Sequence, residues 1–389
     1  MKYDFDVLHN RRNSLSIKHN LEKYKKSEET LPLWVADMDF QSPIEVREAL
    51  VREAEHGIFG YSGIDDAYLA AVAGWQKENF QWDVESEWLV TTSGVVNSIA
   101  IAILSYTQPG DKIIIQQPVY YPFFETIKNT GRIVVNSPLT LENGHYEIDF
   151  EDFEKQIMLH TPKMFILCSP HNPVGRVWTK EELETLGDIC IKHNVLVFSD
   201  EIHQDFVFVG QHTPFASIKP AFSEHSITST APSKTFNLPG LHAANIYIPS
   251  ETLRKKFTDT QGLYAAGGLN IMGIVACRAA YTYGKDWLEQ LKEYLLGTTA
   301  YIRNYLQENI PGIKLIEPEG TYLLWFDCRG LGLSHEALET LINDKAKLWL
   351  DGGTMFGPEG EGFQRVNIGS PRRVLKEAME RLNAAVKEL

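Results

Sequence analysis

Between residues 88 and 247 the chain alternates short, β-rich apolar runs with longer stretches of helical periodicity. The predicted strands are 88–91, 112–115, 132–136, 164–168, 195–199, 226–230 and 243–248. Several are continuous apolar runs, such as Ile113-Ile114-Ile115, Phe165-Ile166-Leu167 and Val195-Leu196-Val197-Phe198. A strand apolar on both faces is one covered on both sides, as in a parallel or mostly parallel sheet. Between two of these runs, Thr179-Lys180-Glu181-Glu182 reads as a capping box that opens a helix through Lys192. The rhythm predicts an α/β fold with helices on both faces of the sheet.

The last third reads differently. Residues 287–308 carry a long helical pattern able to bridge two domains, and 314–317 and 322–327 predict antiparallel strands around a turn at 318–320. Ser370 is expected to cap a final helix with Pro371 at its first position, with Leu375, Ala378, Leu382, Val386 and Leu389 along one face. The polar stretch 23–30 reads as a linker, which joins the first 45 residues to this later part. The expected organisation is a large domain over 46–286 and a smaller α+β domain built from 1–45 and 287–389.

Composition narrows the class of function. A chain of 389 residues favours two cores over one, and 43% hydrophobic with 23% charged residues describes an ordinary soluble protein. A net charge of −14 disfavours nucleic acid and anionic membrane as partners. The first fifteen residues lack a basic-then-apolar signal, and no apolar run approaches a membrane span. Cys168, Cys190, Cys277 and Cys328 are scattered without a CxxC pair, which reads as reduced, buried thiols in a cytoplasmic protein. Neither they nor the 12 histidines show metal-ligand spacing, so no metal is expected.

In open α/β sheets ligands bind at the C-terminal ends of strands, so the segments that follow the predicted strands are the candidate site. Thr92-Ser93-Gly94-Val95-Val96 is a glycine turn opening a helix, whose free amides and positive dipole end suit a phosphate. Tyr120, in Pro118-Val119-Tyr120-Tyr121, can stack on a flat ring. Asn172-Pro173-Val174-Gly175 holds an amide in a rigid turn, placed to donate to a phenolate-like oxygen. Asp200, ending a buried strand, needs a cationic partner or strong donors to stay charged; a protonated pyridine nitrogen is one such cation. His203 stands behind Asp200, either to orient that carboxylate or to reach a ring hydroxyl. Lys234, in Ser233-Lys234-Thr235-Phe236-Asn237-Leu238-Pro239-Gly240, follows a strand among small residues, where desolvation favours the neutral amine that a Schiff base requires. Arg365 offers a planar fork inside the half-apolar strand 363–368, a shape suited to a carboxylate.

Taken in order, these segments resemble the fold-type I pyridoxal-phosphate enzymes, the aminotransferase class I/II superfamily. The resemblance runs over nearly the whole chain and implies a pyridoxal-phosphate-dependent transferase-like large domain. Pro32-Leu33-Trp34-Val35-Ala36-Asp37-Met38-Asp39-Phe40, His56-Gly57 with Phe59-Gly60-Tyr61, Ala231-Pro232-Ser233-Lys234 and Leu269-Asn270-Ile271-Met272-Gly273 look like its C–S lyase branch, the MalY/PatB type of cystathionine β-lyase.

That resemblance implies pyridoxal 5′-phosphate as cofactor, joined to Lys234 as a Schiff base. Asp200 would pair with the pyridine nitrogen and Asn172 would contact the ring oxygen, with His203 at the place where many members have a tyrosine for that oxygen; Tyr120 would stack on the ring and stand as a second catalytic group. Gly94, Val95, Val96 and Ser233 would hold the phosphate. Arg365 and Val35 would contact the amino-acid substrate, and Tyr61 would reach the phosphate of a partner subunit in a homodimer. Two positions depart from the wider pattern. His242 stands where an arginine usually binds phosphate, and Ala231 replaces a common serine. Both favour carbon–sulfur β-elimination, with aminotransfer to aromatic or other neutral amino acids as the alternative.

Overall fold

The computed structural model describes residues 3–12 and 14–389. All seven runs read as strands between residues 88 and 248 form one sheet. Its order is Leu89–Thr92, Ala244–Tyr247, Ser226–Thr230, Leu196–Asp200, Met164–Cys168, Lys112–Ile115, Ile133–Asn136. The five from Ser226–Thr230 onward pair in parallel, and only Ala244–Tyr247 runs against its neighbours. The expected α/β fold with a mostly parallel central sheet is therefore present.

The double-sided apolar pattern has its predicted cause. Side chains alternate across the sheet, so Ile113, Ile115, Ile166 and Phe198 enter one core with Ile99 and Phe123. Ile114, Phe165, Leu167 and Val197 enter another with Trp178, Leu183 and Leu186. Helix Lys180–Lys192 opens on a complete capping box between Thr179 and Glu182.

Helix Lys285–Asn309 spans about 37 Å at 1.5 Å per residue and packs on the final helix, Arg372–Val386. Beyond it lies a four-stranded antiparallel sheet in the order Lys314–Ile316, Leu323–Asp327, Phe363–Asn367, Asp351–Gly352. The amino-terminal segment joins this end of the chain through a parallel pair of Leu31–Pro32 with Leu348–Trp349. Two details of the sequence reading change. Ser370 does not cap the final helix, because its hydroxyl donates to Asp39 at 2.5 Å and Pro371 takes the capping position. Leu375, Ala378 and Leu382 are buried as expected, but Leu389 lies past the helix end and is exposed.

One glycine ties the two sheets together. Gly175 has φ +76°, a conformation that side chains other than glycine rarely adopt, and its carbonyl accepts from Glu319 and Gly320 amides at 2.9 Å. A Cβ there would press on Pro318 at 3.2 Å. The turn that carries Asn172 is thereby fixed against the loop at 318–320.

Candidate active site

Parallel strands end on one edge of the sheet, so Thr92, Cys168, Asp200 and Thr230 deliver the segments after them to one place. A cavity of about 420 Å³ lies there, lined by Ser93, Gly94, Val95, Val96, Tyr120, Asn172, Asp200, His203, Ser233 and Lys234. All but three of the sequence-predicted site residues thus share one cavity; the exceptions are Arg365, Val35 and Tyr61.

Each lining group is placed by a local reason. Gly94 stands at the amino-terminal cap of helix Val95–Tyr106 with no side-chain cap, leaving the first-turn amides facing the cavity. Asp200 ends its strand fully enclosed. Burial pushes its carboxyl up to about 7, against the pull of the Ile202 amide, which donates to Oδ1 at 3.1 Å, and of Lys234. His203 is buried with Nδ1 unpartnered among the described residues, and burial drives its pKa well down, so the ring is neutral.

Lys234 sits in the short helix Pro232–Thr235, with Thr235 anchored to Asp205 Oδ2 at 2.6 Å. Its Nζ donates to the Ala36 carbonyl at 2.6 Å. Desolvation, helped by the Arg365 charge, lowers its pKa to about 8, while Asp37 and Asp200 oppose the shift. A neutral amine is therefore accessible near physiological pH. Tyr120 is half-buried beside the cavity; desolvation holds its phenol above the usual range, and its amide donates to the Asn172 carbonyl at 3.1 Å.

Arg365 approaches from the other sheet. Its Nη1 donates to Asn172 Oδ1 at 3.0 Å, its Nη2 donates to the Trp34 carbonyl at 3.0 Å and to Asp351, and the guanidinium lies 4.8 Å over Phe356. With its oxygen engaged by Arg365, the Asn172 amide has NH₂ left to donate into the cavity. A second, wider cavity of about 650 Å³ adjoins the first, sharing Ala36, Lys234 and His242, and Val35 lines it together with Arg11, Ile17 and Asp37. Tyr61 stands apart, fully exposed in a loop with exposed Ile58 and Phe59.

The whole assembly hangs on the segment Trp34 to Phe40. Asn237 accepts from the Met38 amide and donates to the Met38 and Phe40 carbonyls, and Asn367 donates to the Val35 and Asp37 carbonyls. Tyr322 donates its hydroxyl to the same Ala36 carbonyl that takes Lys234, at 3.0 Å.

A family model described as aminotransferase class I and II matches residues 28–382. The chain belongs to that family. Among its relatives, cystathionine β-lyase PatB of Bacillus subtilis is 41% identical over 359 residues, 92% of this chain and 93% of that protein. The structure of cystalysin from Treponema denticola, which contains pyridoxal 5′-phosphate, matches with a TM-score of 0.96 and 38% identity over all of both chains. A pyridoxal-phosphate-bound C–S lyase from Staphylococcus hominis matches at 0.92 and 33%, over 99% of this chain and 98% of that one.

The residues fit the cofactor those two structures hold. A buried carboxylate calls for a cation, a helix amino terminus calls for an anion, and Lys234 offers an amine of lowered pKa in the same cavity. In this aminotransferase-family chain, sequence reasoning missed Ala36, Asp205, Asn237, Tyr322, Asn367 and Asp351. Ala36 acts through its backbone carbonyl, which leaves no mark in a sequence. The asparagines and Asp351 reveal themselves only through partners more than a dozen residues away.

Proposed function

We propose that the protein is a pyridoxal-phosphate-dependent carbon–sulfur β-lyase that cleaves L-cystathionine or other cysteine S-conjugates to a thiol, pyruvate and ammonia. One observation carries this reading: an enclosed carboxyl, Asp200, and an amine of lowered pKa, Lys234, face one cavity at the mouth of a helix amino terminus. Identity of 41% to a cystathionine β-lyase supports the choice among reactions.

The cofactor, when bound, supplies a cationic ring that draws electrons from the substrate α-carbon. Asp200 would pair with the ring nitrogen's proton, and the Asn172 NH₂ would donate to the ring oxygen. Tyr120 would pack against the ring, while Gly94, Val95, Val96 and Ser233 would hold the phosphate. Arg365 takes the α-carboxylate, and Val35 lines the way in. Lys234, when neutral, would take the α-proton at Nζ; its hydrogen bond to Ala36 leaves the lone pair free. The β-carbon then loses its thiolate, which Tyr120 can protonate because burial keeps its phenol protonated.

Turnover should need no acceptor. With a cysteine S-conjugate and no keto acid, equal amounts of thiol and pyruvate are expected; keto-acid-dependent turnover without thiol release would overturn the lyase reading in favour of aminotransfer.

The exposed apolar loop with Ile58, Phe59 and Tyr61 supports a homodimer in which Tyr61 completes the partner's phosphate site. Sedimentation should show a dimer, and a monomer that keeps full activity would contradict it. The pairings of Leu31–Pro32 with Leu348–Trp349 support a small domain of 1–45 and 287–389 beside a large one of 46–286. Among the described residues no helix is long and apolar enough to cross a membrane, and no group of side chains is placed to hold a metal. Four unpaired, buried cysteines support a cytoplasmic setting.

A further inference from the structure

Arg365 is already spoken for. Asp351 lies directly opposite it across the antiparallel pair of Asp351–Gly352 with Phe363–Asn367, and the two side chains form an ion pair only 3% and 4% exposed. The donor count shows the consequence. A guanidinium grips a carboxylate with two N–H groups along either of two edges, Nε with Nη2 or Nη1 with Nη2, so both edges need Nη2. In Arg365 the two Nη2 hydrogens go to the Trp34 carbonyl and to Asp351, one Nη1 hydrogen goes to Asn172, and Nε has no partner among the described residues. A two-pronged grip on a substrate therefore requires one of the two Nη2 acceptors to give way.

The Trp34 carbonyl is the harder one to move. Its neighbours are pinned on both sides: the Leu33 amide donates to Trp349 and the Leu33 carbonyl accepts from Asn367, while the Val35 carbonyl accepts from the Asn367 side chain at 2.6 Å. Asp351 holds Arg365 through a side-chain oxygen and not through the backbone.

We propose that Asp351 is a gate on the carboxylate site: it occupies Arg365 as an internal stand-in and is displaced when the α-carboxylate of an amino acid binds. This rests on the reading that Arg365 receives that carboxylate. Asp351 thereby weakens carboxylate binding, and its loss tightens it. A purely structural role predicts the opposite sign, and Arg365 keeps its orientation without Asp351 through Asn172, Trp34 and Phe356.

The test is calorimetric, on the cofactor-loaded protein, with 3-(methylthio)propanoate, a monocarboxylate that lacks the amino group and cannot react. Asp351→Asn and the shorter Asp351→Ser are compared with wild type and with Arg365→Ala, each first checked for a cooperative melt; if the asparagine variant does not fold, the serine variant decides. The expected result is a Kd lowered about ten-fold in the Asp351 variants and binding abolished in Arg365→Ala. An unchanged or weaker Kd in the Asp351 variants, with binding still lost in Arg365→Ala, overturns the gate and leaves the role of Arg365 standing. Binding that survives Arg365→Ala, or no binding by any of the proteins, removes the reading beneath it.

Discussion

Replacing Lys234 with alanine is expected to reduce turnover of a cysteine S-conjugate by at least roughly 10⁴-fold, because in the proposed mechanism one side chain both tethers the cofactor and moves the α-proton. The visible absorbance of the cofactor-loaded protein should vanish with it. The fold should survive: Lys234 donates one hydrogen bond, to Ala36, whose carbonyl keeps Tyr322 as a donor. Stability should hold or rise at neutral pH. A base whose pKa is lowered from 10.5 to about 8 is costly to keep charged in the folded state, and that cost is present below about 8 and fades as pH rises toward 10.5. Spectral titration and thermal melts of the variant check both claims. A variant that retains the visible band, or more than a few percent of wild-type turnover, would contradict the assignment.

Asp200→Asn should give the second largest loss, roughly a thousandfold in kcat, since in the proposed site an amide could not keep the ring nitrogen protonated. A second signature belongs to the protein stripped of cofactor. Burial raises the Asp200 carboxyl from 3.8 to about 7, so between those values the folded state holds a proton that the unfolded state has released. Stability contributed this way is complete below about 4 and lost as pH rises to about 7, a change on the order of 4 kcal/mol. Denaturation of the stripped wild type should show this decline, and the asparagine variant should not. Loading with cofactor should flatten it in wild type, because a cationic ring partner restores the carboxylate. Equal slopes in wild type and variant would place the titrating group elsewhere.

The parallel sheet was legible because several of its strands are apolar on both faces; 112–115 and 164–168 begin and end where the sequence places them. Lys234, Asp200, Asn172 and the Gly94 turn were legible for a related reason. Each lies at or just past a strand end, and strand ends in a parallel sheet converge on one edge. Ser370 misled because serine followed by proline is a strong helix-start signal, yet a charged partner, Asp39, stands within reach of its hydroxyl. Asp351 was illegible because its meaning comes from register: only the pairing of strand Asp351–Gly352 with Phe363–Asn367 sets it against Arg365. Ala36 was illegible because a carbonyl carries the contact.

The claim on which the rest depends is that Lys234 carries the cofactor. Borohydride reduction of the pyridoxal-phosphate-loaded protein fixes the carbon–nitrogen bond in place, and mass spectrometry of the digested chain locates it. The account predicts a pyridoxyl group on the peptide containing Lys234 and on no other lysine, absent when Lys234→Ala is treated in the same way. A label on another lysine at full occupancy, or none on Lys234, would contradict it.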